Sequence, residues 1–170
     1  MCFILWGSTF SLQAHTVDVI IRRSAKEDVA MAALASRPQP RAVQSQVRKE
    51  WLELLDELFD DITAWAEANR WPLDTQHRYI HEKAIGRYRT RVLNIKTPNG
   101  ILIAEATARF VCGAGAQGRV DLYAFPSLKR VLLIWTGTSW AIRYDSGVWS
   151  RRAWSERTFT KLALDLTEAP

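Results

Sequence analysis

Val131–Trp135 (VLLIW) is apolar at every position. A strand that is apolar on both sides has to be covered on both sides, so this run predicts a strand at the middle of a core. Its neighbours in sequence alternate instead. Arg119–Phe125 places Val120, Leu122 and Ala124 on one side, with Arg119, Asp121 and Tyr123 on the other. Trp140–Asp145 places Trp140, Ile142 and Tyr144 together. Pro126-Ser127 and Thr136-Gly137-Thr138 supply the turns between these strands.

A hairpin is predicted upstream. Gly86 opens a strand over Arg87–Lys96, Asn99-Gly100 turns the chain, and Ile101–Cys112 returns. A two-residue turn at Asn99-Gly100 sets Ile95 opposite Ala104 and Leu93 opposite Ala106. Leu93, Ile95, Leu102, Ala104, Ala106, Ala108 and Phe110 then share the core face. Arg87, Arg89 and Arg91 fall on that same side, and three arginines cannot be buried unpaired. Either the hairpin runs past the core or a bulge re-aims them, and both leave an arginine row at one end of the sheet. Gly113–Gly118 is a flexible loop without the Gly-Lys-Ser/Thr ending of a phosphate loop.

Val43–Arg70 is the clearest helix. Val43, Val47, Trp51, Leu54, Leu55, Leu58, Ile62, Trp65 and Ala66 recur at three- and four-residue intervals, and Trp71-Pro72 ends the pattern. Its carboxylates lie on the opposite, solvated side. Asp74–Ile85 is ambiguous, with Asp74 placed to cap a short helix through Lys83. Ser155 caps a last helix, Glu156–Leu166. The expected fold is α+β: a long amphipathic helix on a mainly antiparallel five-stranded meander, then a short C-terminal helix. The long helix covers one sheet face, and the C-terminal helix or the N-terminal residues cover the other.

Residues 1–42 read as an appendage, poorly ordered or docked on the sheet, and 43–170 as a single domain. Thr16–Ile21 suits a strand and Ser24–Ser36 a helix. Met1–Leu12 is apolar but too short to span a membrane and lacks the basic start of a signal peptide, so no membrane association is expected. Cys2 and Cys112 are far apart in sequence and make no case for a disulfide, so a reducing, cytoplasmic location is expected. His77 and His81 stand four residues apart without an acid or cysteine to complete a metal site. No metal or cofactor is expected.

Gly118-Arg119-Val120-Asp121 resembles the first catalytic strand of restriction-endonuclease-like nucleases, with Asp121 at the position of the metal-binding acid. The resemblance implies a Glu-x-Lys on the following strand. VLLIWTG has Leu133 and Trp135 near those positions, so the resemblance implies an inactive relative. No Gly-x-Ser-x-Gly elbow is present, and neither cysteine has a histidine near it in sequence. The chain is expected not to be an enzyme.

Binding remains. Residues 43–70 carry a net charge of −4 and residues 71–170 a net +7. Arg87, Arg89, Arg91, Lys129 and Arg130 are the residues expected to contact nucleic acid if the basic half serves that purpose. Trp149, Arg151, Arg152 and Trp154 form a Trp/Arg-rich segment of the kind that anchors protein interfaces. The preferred reading is a non-catalytic interaction or adaptor subunit with a protein partner. The alternative is a basic accessory protein that binds nucleic acid.

Overall fold

The computed structural model describes residues 41–111, 117–144, 146–150 and 152–168. Helix α1 spans Arg41–Ala68. Six strands follow: β1 (Leu73–Glu82), β2 (Gly86–Thr97), β3 (Gly100–Ala108), β4 (Gly118–Phe125), β5 (Arg130–Trp135) and β6 (Trp140–Tyr144). Helix α2 (Glu156–Thr167) comes last. The strands form one sheet in sequence order, and every neighbouring pair is antiparallel. The fold is therefore α+β, as expected, with six strands rather than five. The N-terminal appendage lies outside the described residues apart from Arg41 and Ala42, which open α1, and the strand and helix expected within it lie outside with it.

α1 forms because its apolar residues return on one side every three or four positions. Trp51, Leu55, Leu58, Phe59, Ile62 and Ala66 are buried. Val43, expected on this stripe, is 44% exposed, and Phe59 takes a place the pattern did not assign. The helix stops two residues before the expected end. Arg70, at φ 58°, turns the chain, so that Trp71 N–H reaches Ala66 O and Arg70 N–H reaches Glu67 O. That pair of bonds satisfies the last carbonyls of the helix before Pro72.

The ambiguous stretch Asp74–Ile85 holds no capped helix: residues 74–82 belong to strand β1 and 83–85 are turn. LDTQHRYIHE lacks apolar periodicity because β1 is the sheet edge, and six of its residues in a row, Asp74–Tyr79, are exposed. Its pairing with β2 holds it extended, unbroken from Leu73↔Ile95 to Glu82↔Gly86. The β2–β3 turn also differs from expectation. Thr97 faces Gly100, so Pro98-Asn99 are the turn residues, and Ile95 faces Leu102 while Leu93 faces Ala104. The shift is two residues, which keeps the same side chains on the core face. Thr97 Oγ1 fixes the turn by donating to Gly100 O (3.0 Å) and accepting from Asn99 N–H (3.3 Å). Gly100 has no room for a side chain, since a Cβ there would sit 2.8 Å from Phe125 O.

Both helices pack on the same sheet face, not on opposite ones. α1 lies over β1 and β2, and α2 over β2, β3 and β4. Their stripes meet Leu93, Ile95, Leu102, Ala104, Val120, Leu122 and Leu133, all fully buried. Phe159 of α2 joins the helices to each other through Trp65 (5.7 Å) and Trp71 (6.1 Å). No described helix covers the other face, where Ile101, Ile103, Tyr123 and Leu132 are half-buried among charged residues. Val131–Trp135 is β5, next to the edge rather than central, and Leu132 and Trp135 are only half-buried. The middle strands are β3 and β4, whose core positions are small or aliphatic. No described helix is long and apolar enough to cross a membrane.

Candidate partner-binding surface

The helices concentrate on β1 to β4, so the core face over β5 and β6 is finished by other means. Trp135 and Trp140 face each other across the β5–β6 turn, with rings 5.4 Å apart. Thr136 closes that turn: its N–H (3.1 Å) and Oγ1 (3.0 Å) both donate to Ser139 O, and Oγ1 accepts from Ser139 N–H (3.4 Å). Trp140 rests on Trp51, which is fully buried in α1, at 6.2 Å. After β6 the chain doubles back. Tyr144 N–H donates to Val148 O, Ser150 N–H donates to Ile142 O, and Trp149 bridges to Arg143. Trp154 then turns inward onto Trp65 (5.4 Å) and Phe159 (5.9 Å), just before Ser155 caps α2.

A cleft of about 530 Å³ is left between the β5–β6 turn and this returning segment. Trp135, Trp140 and Trp154 line it with Ser139, Ser150 and Arg152, and no carboxylate is among its described lining residues. Beyond the cleft, at the exit of β6, Tyr144 (37%), Val148 (60%) and Trp149 (39%) are exposed. The Arg143 guanidinium lies over the Trp149 ring at 5.6 Å. Exposed aromatic surface beside arginine is the composition of interface anchors. A second concavity of similar size has only α2 residues among its described lining, including the Lys161–Asp165 ion pair, and offers no converging groups.

Of the expected partner-binding residues, Trp149, Arg152 and Trp154 are thus brought to one edge of the sheet, but with different duties. Trp149 is a surface residue. Arg152 lines the cleft. Trp154 is half structural, since it wedges between Trp65 and Phe159. Arg151 lies outside the described residues. Trp135 and Trp140 were missed as site residues because WTGTSW reads first as strand, turn, strand. The readable signal was the symmetry: a tryptophan on each side of a short turn becomes a cross-strand pair.

The residues expected to contact nucleic acid are not brought together. Pairing of β2 with β3 ends at Val92↔Glu105, so residues 86–91 leave β3 and pair with β1 alone. The hairpin does run past the sheet. Its row is uneven: Arg87 stacks on Tyr79 at 4.0 Å, Arg89 is exposed, and Arg91 turns onto α1, pairing with Asp60 (2.8 Å) and Asp56 (3.1 Å). Lys129 and Arg130 sit at the other end of the sheet, beside the β4–β5 turn. Lys129 Nζ donates to Glu168 O (2.9 Å), and Arg130 lies 3.7 Å from Asp121.

Asp121 is a buried carboxylate gripped by both Arg119 donors at 2.6 and 2.7 Å. Its cross-strand neighbour on the same face, Glu105, is paired with Arg78 at 2.5 Å. Nearby Tyr123 has its phenol pKa pushed up by burial and by Glu105. Two adjacent carboxylates each held by arginine are charge-compensated structure rather than an open ligand set. Among the described residues, no three His, Cys, Asp or Glu side chains are grouped to hold a metal ion. No family model, curated protein or solved structure matches the chain at a meaningful level of similarity.

Proposed function

We propose that the protein is a non-catalytic interaction subunit, and that it seats a polypeptide partner on the tryptophan-lined cleft and the exit of β6. One observation carries this reading: three indoles and an arginine border an open cleft, beside a tryptophan held at the surface under an arginine. Aromatic-lined grooves take extended peptides, whose backbone supplies acceptors while the rings cover apolar side chains. With Arg152 in the lining and Arg143 over the Trp149 ring, the favoured segment carries a carboxylate next to an apolar residue. The expected cytoplasmic setting goes with this reading and rests on Cys2 and Cys112, which lie outside the described residues.

Selection of random displayed peptides against the full chain tests the proposal. Enriched peptides should share an acidic–apolar pattern and lose binding to Trp149→Ala and Arg152→Glu proteins. Enrichment that survives both substitutions overturns it. A second reading, nucleic acid on Arg87 and Arg89, is favoured only by the exposed Arg87–Tyr79 stack at the hairpin end. It predicts duplex binding that falls steeply with salt and disappears when both arginines are changed.

A further inference from the structure

We infer that the outer edge of β1 is an interface, and that its occupant is a second copy of this chain added antiparallel, β1 to β1. This does not rest on the tryptophan cleft, which lies on the far side of the sheet.

β1 is a ten-residue edge strand, and among the described residues nothing pairs with its outer side. Edges that are kept apart usually carry charged side chains, lysine above all, a proline or a bulge. LDTQHRYIHE has no lysine and no proline, its charges Asp74, Arg78 and Glu82 are of both signs, and its register with β2 has no break. The direction of its backbone groups follows from one bond. Lys96 N–H donates to Pro72 O (2.8 Å), so position 72 is hydrogen-bonded to β2. Such positions recur every second residue in an antiparallel pair. Asp74, Gln76 and Arg78 therefore aim their backbone groups at β2, while Leu73, Thr75, His77 and Tyr79 aim theirs outward.

A second β1 must meet outward groups with outward groups, about a two-fold axis. With the axis at Gln76, Leu73 faces the other copy's Tyr79 and Thr75 faces its His77, and each pair exchanges backbone bonds. Asp74 then faces the other copy's Arg78, twice. These charge pairs fall at non-hydrogen-bonded positions, where Cα atoms are only about 4.5 Å apart. Both side chains are ready for this. Asp74 is exposed, and its one partner among the described residues is Gln76 (3.1 Å). Arg78 is held on the same face by Glu105 at 2.5 Å, and a guanidinium has donors left over. Neighbouring registers are worse. An axis at His77 sets Asp74 against Ile80. An axis at Arg78 sets that arginine against its own copy and Asp74 against Glu82. Of these three registers, only the one about Gln76 pairs opposite charges, and it extends the sheet across two molecules with all helices on one face.

The test is the association state of the full chain by sedimentation equilibrium. Wild type is expected at twice the chain mass at micromolar concentration. Asp74→Arg alone and Arg78→Asp alone each place like charges opposite each other twice, and each should weaken the dimer about tenfold or more. Mixing the two variant proteins should restore a dimer, because both facing pairs are then attractive. Should one reversal fail to fold, Gln76→Glu puts two carboxylates on the axis and should weaken the dimer in the same way. A wild-type monomer overturns the inference, and so does a monomer whose outward β1 amides resist exchange, since another part of the chain then holds the edge. A dimer indifferent to all these changes overturns it as well.

Discussion

Trp51 Nε1–H donates to the Tyr88 hydroxyl at 3.2 Å, and Tyr88 in turn donates to Glu82. The same Glu82 carboxylate accepts Arg109 N–H (2.8 Å) and Phe110 N–H (3.1 Å). One chain of bonds thereby fastens α1, the far end of the β1–β2 hairpin and the exit of β3. It explains how a hairpin that has left β3 stays attached to the core. Along β2 the buried positions change from Tyr88 and Thr90 to Leu93 and Ile95, so the ribbon twists to keep Tyr88 against the helix. Glu82→Ala should leave two amide donors without an acceptor and cost about 1–3 kcal/mol in denaturant unfolding.

The same chain sets an alkaline limit. Burial, helped by Glu82, pushes the Tyr88 phenol pKa well above its ordinary value of about 10. The folded protein therefore holds a proton that the unfolded chain releases. The resulting stabilisation is complete below pH 10 or so and is lost as the pH rises beyond that value. Tyr88→Phe should be less stable at neutral pH and should lose stability more gently above pH 10. An unchanged alkaline slope would mean Tyr88 does not carry the effect.

Leu58 is buried in the centre of the α1 stripe at 1% exposure. Leu58→Ala should cost about 2–5 kcal/mol, because the sheet beneath cannot collapse into the space. A cost below one kilocalorie would contradict the packing of α1 on β2.

Gly118 opens β4 directly under the Trp51 indole, and a Cβ added there would lie inside the ring's van der Waals surface. Gly118→Ala should therefore cost about 1–3 kcal/mol through overpacking. Gly86→Ala makes a useful contrast: its nearest neighbour, Arg48 Nη1, is 3.5 Å away, and the strain there comes from a φ of 80°. Pairing Gly118→Ala with Trp51→Leu should recover part of the loss only at Gly118.

How much was legible in the sequence follows where burial is one-sided. α1 and α2 carry stripes that the core uses, and the β3 and β4 alternations are read directly as inside and outside. β1 was illegible because an edge strand exposed on both sides has no period to show. VLLIW misled for a related reason: Leu132 and Trp135 are apolar without being deeply buried, Leu132 on the uncovered face and Trp135 at the cleft. The arginine row was seen as a row, but its division could not be, since the acids that claim Arg91 come from a helix turn more than thirty residues earlier. Trp149 and Arg152 were legible by composition alone. Only the doubling-back of the chain after β6 brings Arg152 to the cleft with Trp135 and Trp140 and sets Trp149 against Arg143.

The proposed function is recognition of a polypeptide by the surface at Trp149 and the adjoining cleft. The most direct measurement is the dissociation constant of a selected acidic–apolar peptide for three proteins at physiological salt: wild type, Trp149→Ala, and the Arg87→Ala, Arg89→Ala double variant. Trp149→Ala should weaken binding about tenfold or more, as loss of an interface anchor does, while the double arginine variant should bind like wild type. Equal affinity for Trp149→Ala and wild type would contradict it, as would a protein that binds no selected peptide but binds duplex DNA through Arg87 and Arg89.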